Sequence, residues 1–108
     1  MFTLSPNPEP DYEGLTDGKW RSVPSESAVL HRLAVSAEMR GSGLASLVMS
    51  FVEAAAREIG KSALRTDTHK KNRSMQALLR SCGCEYRGNV VLTPESDPQP
   101  RQAFEKLL

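Results

Sequence analysis

Ala28-Val29-Leu30-His31-Arg32-Leu33-Ala34-Val35, followed four residues later by Arg40-Gly41-Ser42-Gly43-Leu44-Ala45, carries the strongest structural signal in this chain. In the first run Val29, His31, Leu33 and Val35 share one face, while Leu30, Arg32 and Ala34 share the other. Apolar residues on both faces suit an interior strand rather than an edge. The glycines at 41 and 43 break the strand. Beyond them Leu44, Leu47, Val48, Phe51, Ala55 and Ile59 recur at helical spacing, and Gly60 supplies a stop, so the pattern predicts a helix from Gly43 to Ile59. A strand, a glycine turn and a helix make the first half of a β-α-β unit.

The flanking sequence extends that alternation. Ala63 to Thr68 reads as the next strand, and Asn72 caps a second helix whose apolar stripe is Met75, Leu78, Leu79 and Cys82, ending at Gly83. Cys84 to Thr93 reads as a further strand containing Tyr86, Val90, Val91 and Leu92, and the proline-rich run from Thr93 to Arg101 is a loop. The tail RQAFEKLL is ambiguous: its residues favour helix, whereas a closing strand better serves a β-α-β-α-β order. Upstream, Met1 to Leu4 suits the end of a strand. Residues 5–27, with Pro6, Pro8, Pro10, Gly14, Gly18 and Pro24, form an irregular arm that Trp20 is expected to pin to the body. No internal repeat is present in the sequence.

Bulk properties narrow the class. A chain of 108 residues suits one domain, and 39% hydrophobic with 25% charged residues is ordinary for a globular protein. A net charge of +1 argues against broad nucleic-acid binding. No run approaches the roughly 20 apolar residues of a membrane span, and the polar, proline-rich N-terminus lacks a secretory pattern, so a cytoplasmic setting without membrane contact is expected. Cys82 and Cys84 flank a single glycine, which suits free thiols rather than a disulfide and offers too few ligands for a metal site.

The glycine turn has a chemistry of its own. Amides in the first turn of a helix have no intrahelical partner, and the aligned peptide dipoles add partial positive charge there. Glycines at 41 and 43 leave that backbone approachable, and Arg40 adds a full charge, so the turn suits a phosphate. It is neither a nucleotide P-loop, lacking Gly-Lys-Ser/Thr, nor a dinucleotide fingerprint, lacking the third glycine.

With Arg40-x-x-Gly43-x-Ala45 at the end of a strand reading H-R-L-A-V-S, and THKKNRSMQALLRSCGC downstream, the stretch from Leu30 to Gly83 resembles the GNAT family of N-acetyltransferases. The first motif matches that family's R/Q-x-x-G-x-G/A signature, and the second resembles its asparagine-opened helix that ends in a Gly-aromatic pair. The resemblance implies an α/β (α+β) fold, a mixed central sheet flanked by helices. It also implies acetyl-CoA as co-substrate, with the acetyl group passed to a primary amine of unidentified acceptor. The amides of Arg40, Gly41, Ser42, Gly43, Leu44 and Ala45 would bind the pyrophosphate. The backbone of Leu33, Ala34 and Val35 would pair with the pantetheine arm, and Asn72 would bond that arm or the acceptor. The basic run from His69 to Arg73 is a lesser candidate, as a group, for the 3′-phosphate of coenzyme A.

Amine acetylation needs a neutral amine, and an alkyl ammonium with pKa about 10.4 must first lose a proton. Glu26, His31 and Asp67 are the candidate bases. Two departures from the family follow from the alignment. Leu79 stands where many members carry a tyrosine that protonates the leaving thiolate, and Cys84 replaces the aromatic residue after Gly83. Only 27 residues precede Ala28, so the family's first strand and its two helices are expected to be lacking. The expected organisation is a partial strand and arm over 1–27 and an acetyl-CoA-binding core over 28–108, completed as a homodimer. Two alternatives to an active enzyme are a silent acyl-CoA-binding module stabilised by dimerisation and an interaction domain that reuses the fold.

Overall fold

The computed structural model describes residues 3–31, 43–91 and 100–108. Among these residues the chain forms strands β1 (Thr3–Ser5), β2 (Ser27–His31), β3 (Ala63–His69), β4 (Glu85–Val90) and β5 (Arg101–Leu107), with helices α1 (Leu44–Glu58) and α2 (Arg73–Ser81). The strands lie in one mixed sheet of order β1-β2-β3-β5-β4. β2 and β3 run parallel, joined by the helical crossover that parallel pairing requires. The other neighbours are antiparallel. This is the mixed α/β sheet expected from the sequence.

The ambiguous tail resolves as strand. β5 inserts between β3 and β4 and pairs with β3 over its whole length, from Ala63–Leu107 to His69–Arg101. Its local helix preference loses to two ladders of backbone hydrogen bonds and to the burial of Ala103, Phe104 and Glu105. β4 is shorter than its expected reach, ending at Val90, and residues 92–93 lie outside the described structure. Gly88 marks a bulge against β5, and a side chain there would collide with the Thr16 carbonyl, because the arm bridges onto Asn89 at that point.

Each face of the sheet has its own cover. Ala28, Leu30, Leu64 and Phe104 point toward the helices and form the main core with Met49, Val52, Ala56, Leu79 and Cys84. On the opposite face Val29, Val90 and Ala103 pack under the N-terminal arm, against Tyr12, Leu15 and Trp20. Trp20 does pin the arm: its indole N–H donates to the Tyr12 carbonyl at 2.9 Å, and the Arg65 guanidinium sits 4.5 Å above its ring.

The buried stripe of α1 differs from the expected one. Met49, Val52 and Ala56 are buried, whereas Leu47, Phe51 and Ile59 are exposed. The helix carries two adjacent apolar stripes offset by about one residue, roughly 100° of rotation, and spacing alone does not choose between them. In α2 Leu79 is buried as expected, but so is Gln76. Its amide nitrogen donates to the His69 and Lys70 carbonyls at 3.3 and 2.9 Å and closes the turn between β3 and α2.

Beneath the arm lies a buried acid. Glu105 is 1% exposed. Its carboxylate accepts from the amides of Arg21 and Ser22 at 2.8 and 2.9 Å, from the Ser22 hydroxyl, and from Arg87 Nε at 3.0 Å, with Arg65 Nε at 3.7 Å. Burial alone would raise its pKa, but the bonds from Ser22, Arg21 and Arg87 outweigh it and leave the carboxyl below its ordinary value. A depressed folded-state pKa contributes stability above the unfolded value of about 4.3 and loses it as pH falls through the folded value. Glu105→Gln would strand two arginines and is expected to cost about 3–5 kcal/mol at pH 7. In urea titrations that gap should narrow as pH falls from 5 toward 3; a gap independent of pH would contradict the assignment.

Candidate functional site

The parallel strands part company in mid-course. Their register runs Ser27–Ala63, Ala28–Leu64 and Val29–Arg65, and no further pair joins them among the described residues, although β2 continues to His31 and β3 to His69. β3 remains paired with β5 as far as His69–Arg101. At the parting point the Thr66 hydroxyl donates to the Leu30 carbonyl at 2.9 Å, a side chain taking over where the ladder stops. Leu30 and His31 therefore have no ladder partner on β3, at the C-terminal ends of two parallel strands, the position where open α/β sheets bind ligands. Leu33, Ala34 and Val35, the expected partners of a pantetheine arm, follow directly and lie outside the described residues, as do Arg40, Gly41 and Ser42.

Gly43 is described. It caps the 15-residue α1 in a left-handed conformation, φ 83°, and its carbonyl accepts the first helical bond from Leu47 at 3.1 Å. A Cβ there would meet nothing within 4 Å, so glycine is required here by backbone geometry and not by crowding. Leu44 and Ala45 form the first turn of α1, where amides are free of intrahelical partners. Asn72 is the N-cap of α2, its side-chain oxygen accepting from Met75 N at 3.2 Å, which leaves its amide NH₂ as a donor. Between α2 and the outer half of β3 a cavity of about 120 Å³ is lined by Thr66, Thr68, Asn72, Met75 and Leu79, with Asp67 and Arg101 at its edge. Leu79 is 1% exposed and offers no proton.

The three candidate bases are not brought together. His31 and Asp67 occupy the same end of β2 and β3 and share the arm face. Asp67 accepts from the Tyr12 hydroxyl and from Arg101 Nε, so it is already engaged. Tyr12 is held protonated, its pKa raised by burial and by the Asp67 charge. His31 is open, with a side chain 35% exposed and Nε2 at 4.0 Å from Glu9 Oε2. Glu26 stands at the other end of β2, in the 3₁₀ turn Pro24–Glu26, exposed and about 13–17 Å along the strand from His31.

Glu9, Tyr12 and Arg101 are the site residues that sequence patterning misses, since the arm and tail carry no helical or strand period. The available signal was Glu9-Pro10-Asp11, an acid before a proline with another acid after it, which opens the 3₁₀ turn Pro10–Gly14. In the basic run, His69 serves the turn: its Nδ1 accepts from Lys71 N at 3.1 Å. Among the described residues no group of three or more His, Cys, Asp or Glu is placed to hold a metal ion, and no helix is long and apolar enough to cross a membrane. Both cysteines are free, and burial pushes the Cys84 thiol up to about 11, which makes it an inert packing residue.

No curated protein matches the chain. Among solved structures, a GNAT-family acetyltransferase of Streptococcus agalactiae superposes with TM-score 0.77 at 30% identity, over 99% of this chain and 57% of that one. A GNAT-family acetyltransferase of Listeria monocytogenes gives 0.64 at 18% identity over 99% and 56%. The Salmonella typhimurium protein yncA, solved with its cofactor acetyl-CoA, gives 0.62 at 19% identity over 84% and 54%. The chain thus spans little more than half the length of these relatives. The family model for the acetyltransferase (GNAT) family matches residues 3–84. With its mixed sheet, its parted parallel strands and its glycine-capped helix, the chain belongs to the GNAT acetyltransferase family.

Proposed function

We propose that the chain binds acetyl-CoA in the gap between β2 and β3 and transfers its acetyl group to a primary amine. One observation carries this reading: the parallel pair opens after Val29–Arg65, and the strand it frees leads into the glycine-capped start of α1. Acetyl-CoA supplies an activated acyl group as a thioester, whose C–S bond breaks as the amine's C–N bond forms. The first-turn amides at Gly43, Leu44 and Ala45, with those of Arg40, Gly41 and Ser42, would hold the pyrophosphate, and the Asn72 amide would donate to the pantetheine arm. The freed backbone around Leu33, Ala34 and Val35 would take that arm as an added strand.

The two faces of the sheet divide the remaining work. The helix face carries the cavity beside Leu79, and the arm face carries the open imidazole. In this reading His31 accepts the proton that the ammonium must lose. Asp67 fixes Tyr12 and Arg101 instead of acting as a base, and Glu26 lies too far along β2 to take part. Residues 1–27 then act as the arm of a cofactor-binding core over 28–108. A second reading, an acyl-CoA binder without turnover, draws on one observation: Leu79 provides no acid for the departing thiolate. The exposed Leu47, Phe51 and Ile59 of α1 support self-association as a homodimer, and the two free cysteines suit a reducing cytoplasm.

Calorimetric titration with acetyl-CoA tests the cradle. Asn and Asp both tolerate a left-handed conformation, so Gly43→Asn and Gly43→Asp strain the backbone alike and differ in charge. The aspartate variant is expected to bind at least about 10-fold more weakly than the asparagine variant; equal affinities would refute a pyrophosphate at this turn.

Asn72 admits a similar separation. Asn72→Asp keeps the oxygen that caps α2 and removes the NH₂ donor, so stability should hold while acetyl-CoA affinity falls. Asn72→Ala should lose about 1 kcal/mol of stability as well. Thiol release over a panel of amines, polyamines and peptide N-termini then decides between transferase and silent binder.

A further inference from the structure

Glu9 is an acid of the arm within ion-pair range of the half-buried His31 imidazole at the end of β2, and its position is fixed from several sides. One carboxylate oxygen accepts from the Asp11 amide at 3.3 Å, and its carbonyl accepts from Tyr12 N at 3.0 Å, opening the 3₁₀ turn. Three residues on from Glu9, the same turn drives Tyr12 into the core and onto Asp67. The other Glu9 oxygen stands 4.0 Å from His31 Nε2. The charged groups that act on Tyr12 at this end of the arm face are Asp67, Glu9 and Arg101. Asp67 is already matched by Arg101 and Tyr12, which leaves Glu9 as the carboxylate that meets His31 among the described residues.

We propose that Glu9 is a positioning residue for His31, turning the ring so that Nε2–H faces the arm and Nδ1 is left with its lone pair toward the gap. The inference rests on the acetyltransfer reading above and names how its base is held. A carboxylate held by a neighbouring backbone amide, beside a histidine whose second nitrogen can then act as the base, is the arrangement by which a third group directs a base. A separation of 4.0 Å is longer than a hydrogen bond, and catalytic contacts of this kind shorten when substrate closes the site. In the transfer, Nδ1 takes one proton from the ammonium, the neutral nitrogen forms the C–N bond, and the C–S electrons leave on the thiolate. The proton lost by the amide nitrogen passes to solvent or to that thiolate. The arm thereby contributes to the acceptor side of the site from within this chain.

A double-mutant cycle tests this. Glu9→Gln preserves shape and the oxygen that caps Asp11, and it should lower kcat about 10- to 100-fold with KM for acetyl-CoA unchanged. In a His31→Gln background the same change should cost nothing, because Glu9 acts through the imidazole. Glu9→Asp should recover part of the loss. A strut that merely clips the arm to the sheet predicts a lower urea midpoint with equal effects on rate in both backgrounds, and that result would overturn the proposal. The sequence has only two histidines, so imidazole ¹⁵N spectra of His69→Gln isolate His31. Glu9→Gln should move its Nε2 resonance whether or not the chain turns over, and an unmoved resonance would overturn the proposal independently of the acetyltransfer reading.

Discussion

Everything on the arm face depends on the buried Glu105 carboxylate. It sits in the middle of β5, the strand around which the sheet closes, and collects donors from β3 (Arg65), β4 (Arg87) and the arm (Arg21, Ser22). An acid 1% exposed tolerates that position only because its bonds exceed the penalty of burial. The consequence is geometric. The arm has few apolar anchors and no regular structure beyond short 3₁₀ turns, yet this cluster fastens it at residues 21–22 while Tyr12 and Trp20 seat it further back. A proline-rich segment of this composition would have little reason to stay on the sheet without such a fixed point.

The strand gap rests on the opposite kind of arrangement. β3 is pinned by β5 along seven registered pairs, whereas β2 is held to it by three. A strand with one strong neighbour stays in place while its weaker neighbour is free to diverge. Thr66 marks the divergence, since its hydroxyl satisfies the Leu30 carbonyl that a continued ladder would have used. Among the described residues, Leu30 and His31 thus pair with β1 and have no ladder partner on β3, inside the sheet and away from the edge-to-edge association that an outer strand invites.

Much of this was legible in the sequence. The strand at 28–31, both helices, the Asn72 cap and the strand at 63–69 each followed from period and punctuation, and the GNAT motifs identified the family. Two things were not legible, for physical reasons. The tail is strand only because two partners flank it, and no local propensity reports a partner. The buried face of α1 was misread because Leu47, Phe51 and Ile59 imitate the core stripe one residue away from Met49, Val52 and Ala56. The polar clusters were hidden more deeply. Glu105, Arg65 and Arg87 are far apart in sequence, and nothing in the spacing of charges announces that they meet.

The arm face shows how such contacts bring distant residues together. His31 alone on a strand end would be one polar residue among many, as would Glu9 in a proline-rich arm. They acquire a relationship because the Glu9-Pro10 start of a 3₁₀ turn and the burial of Tyr12 bring the carboxylate to 4.0 Å from the imidazole. That place depends on the seating of Tyr12 on Asp67 and on the fastening of the arm to Glu105 at Arg21 and Ser22, more than ten residues further along the arm. A lesion in the buried cluster would therefore reach the imidazole without touching it, by releasing the segment that carries its partner. Stability and geometry on this face are consequences of the same bonds, whereas the helix face depends on the ladder between β3 and β5 and on the glycine at the start of α1.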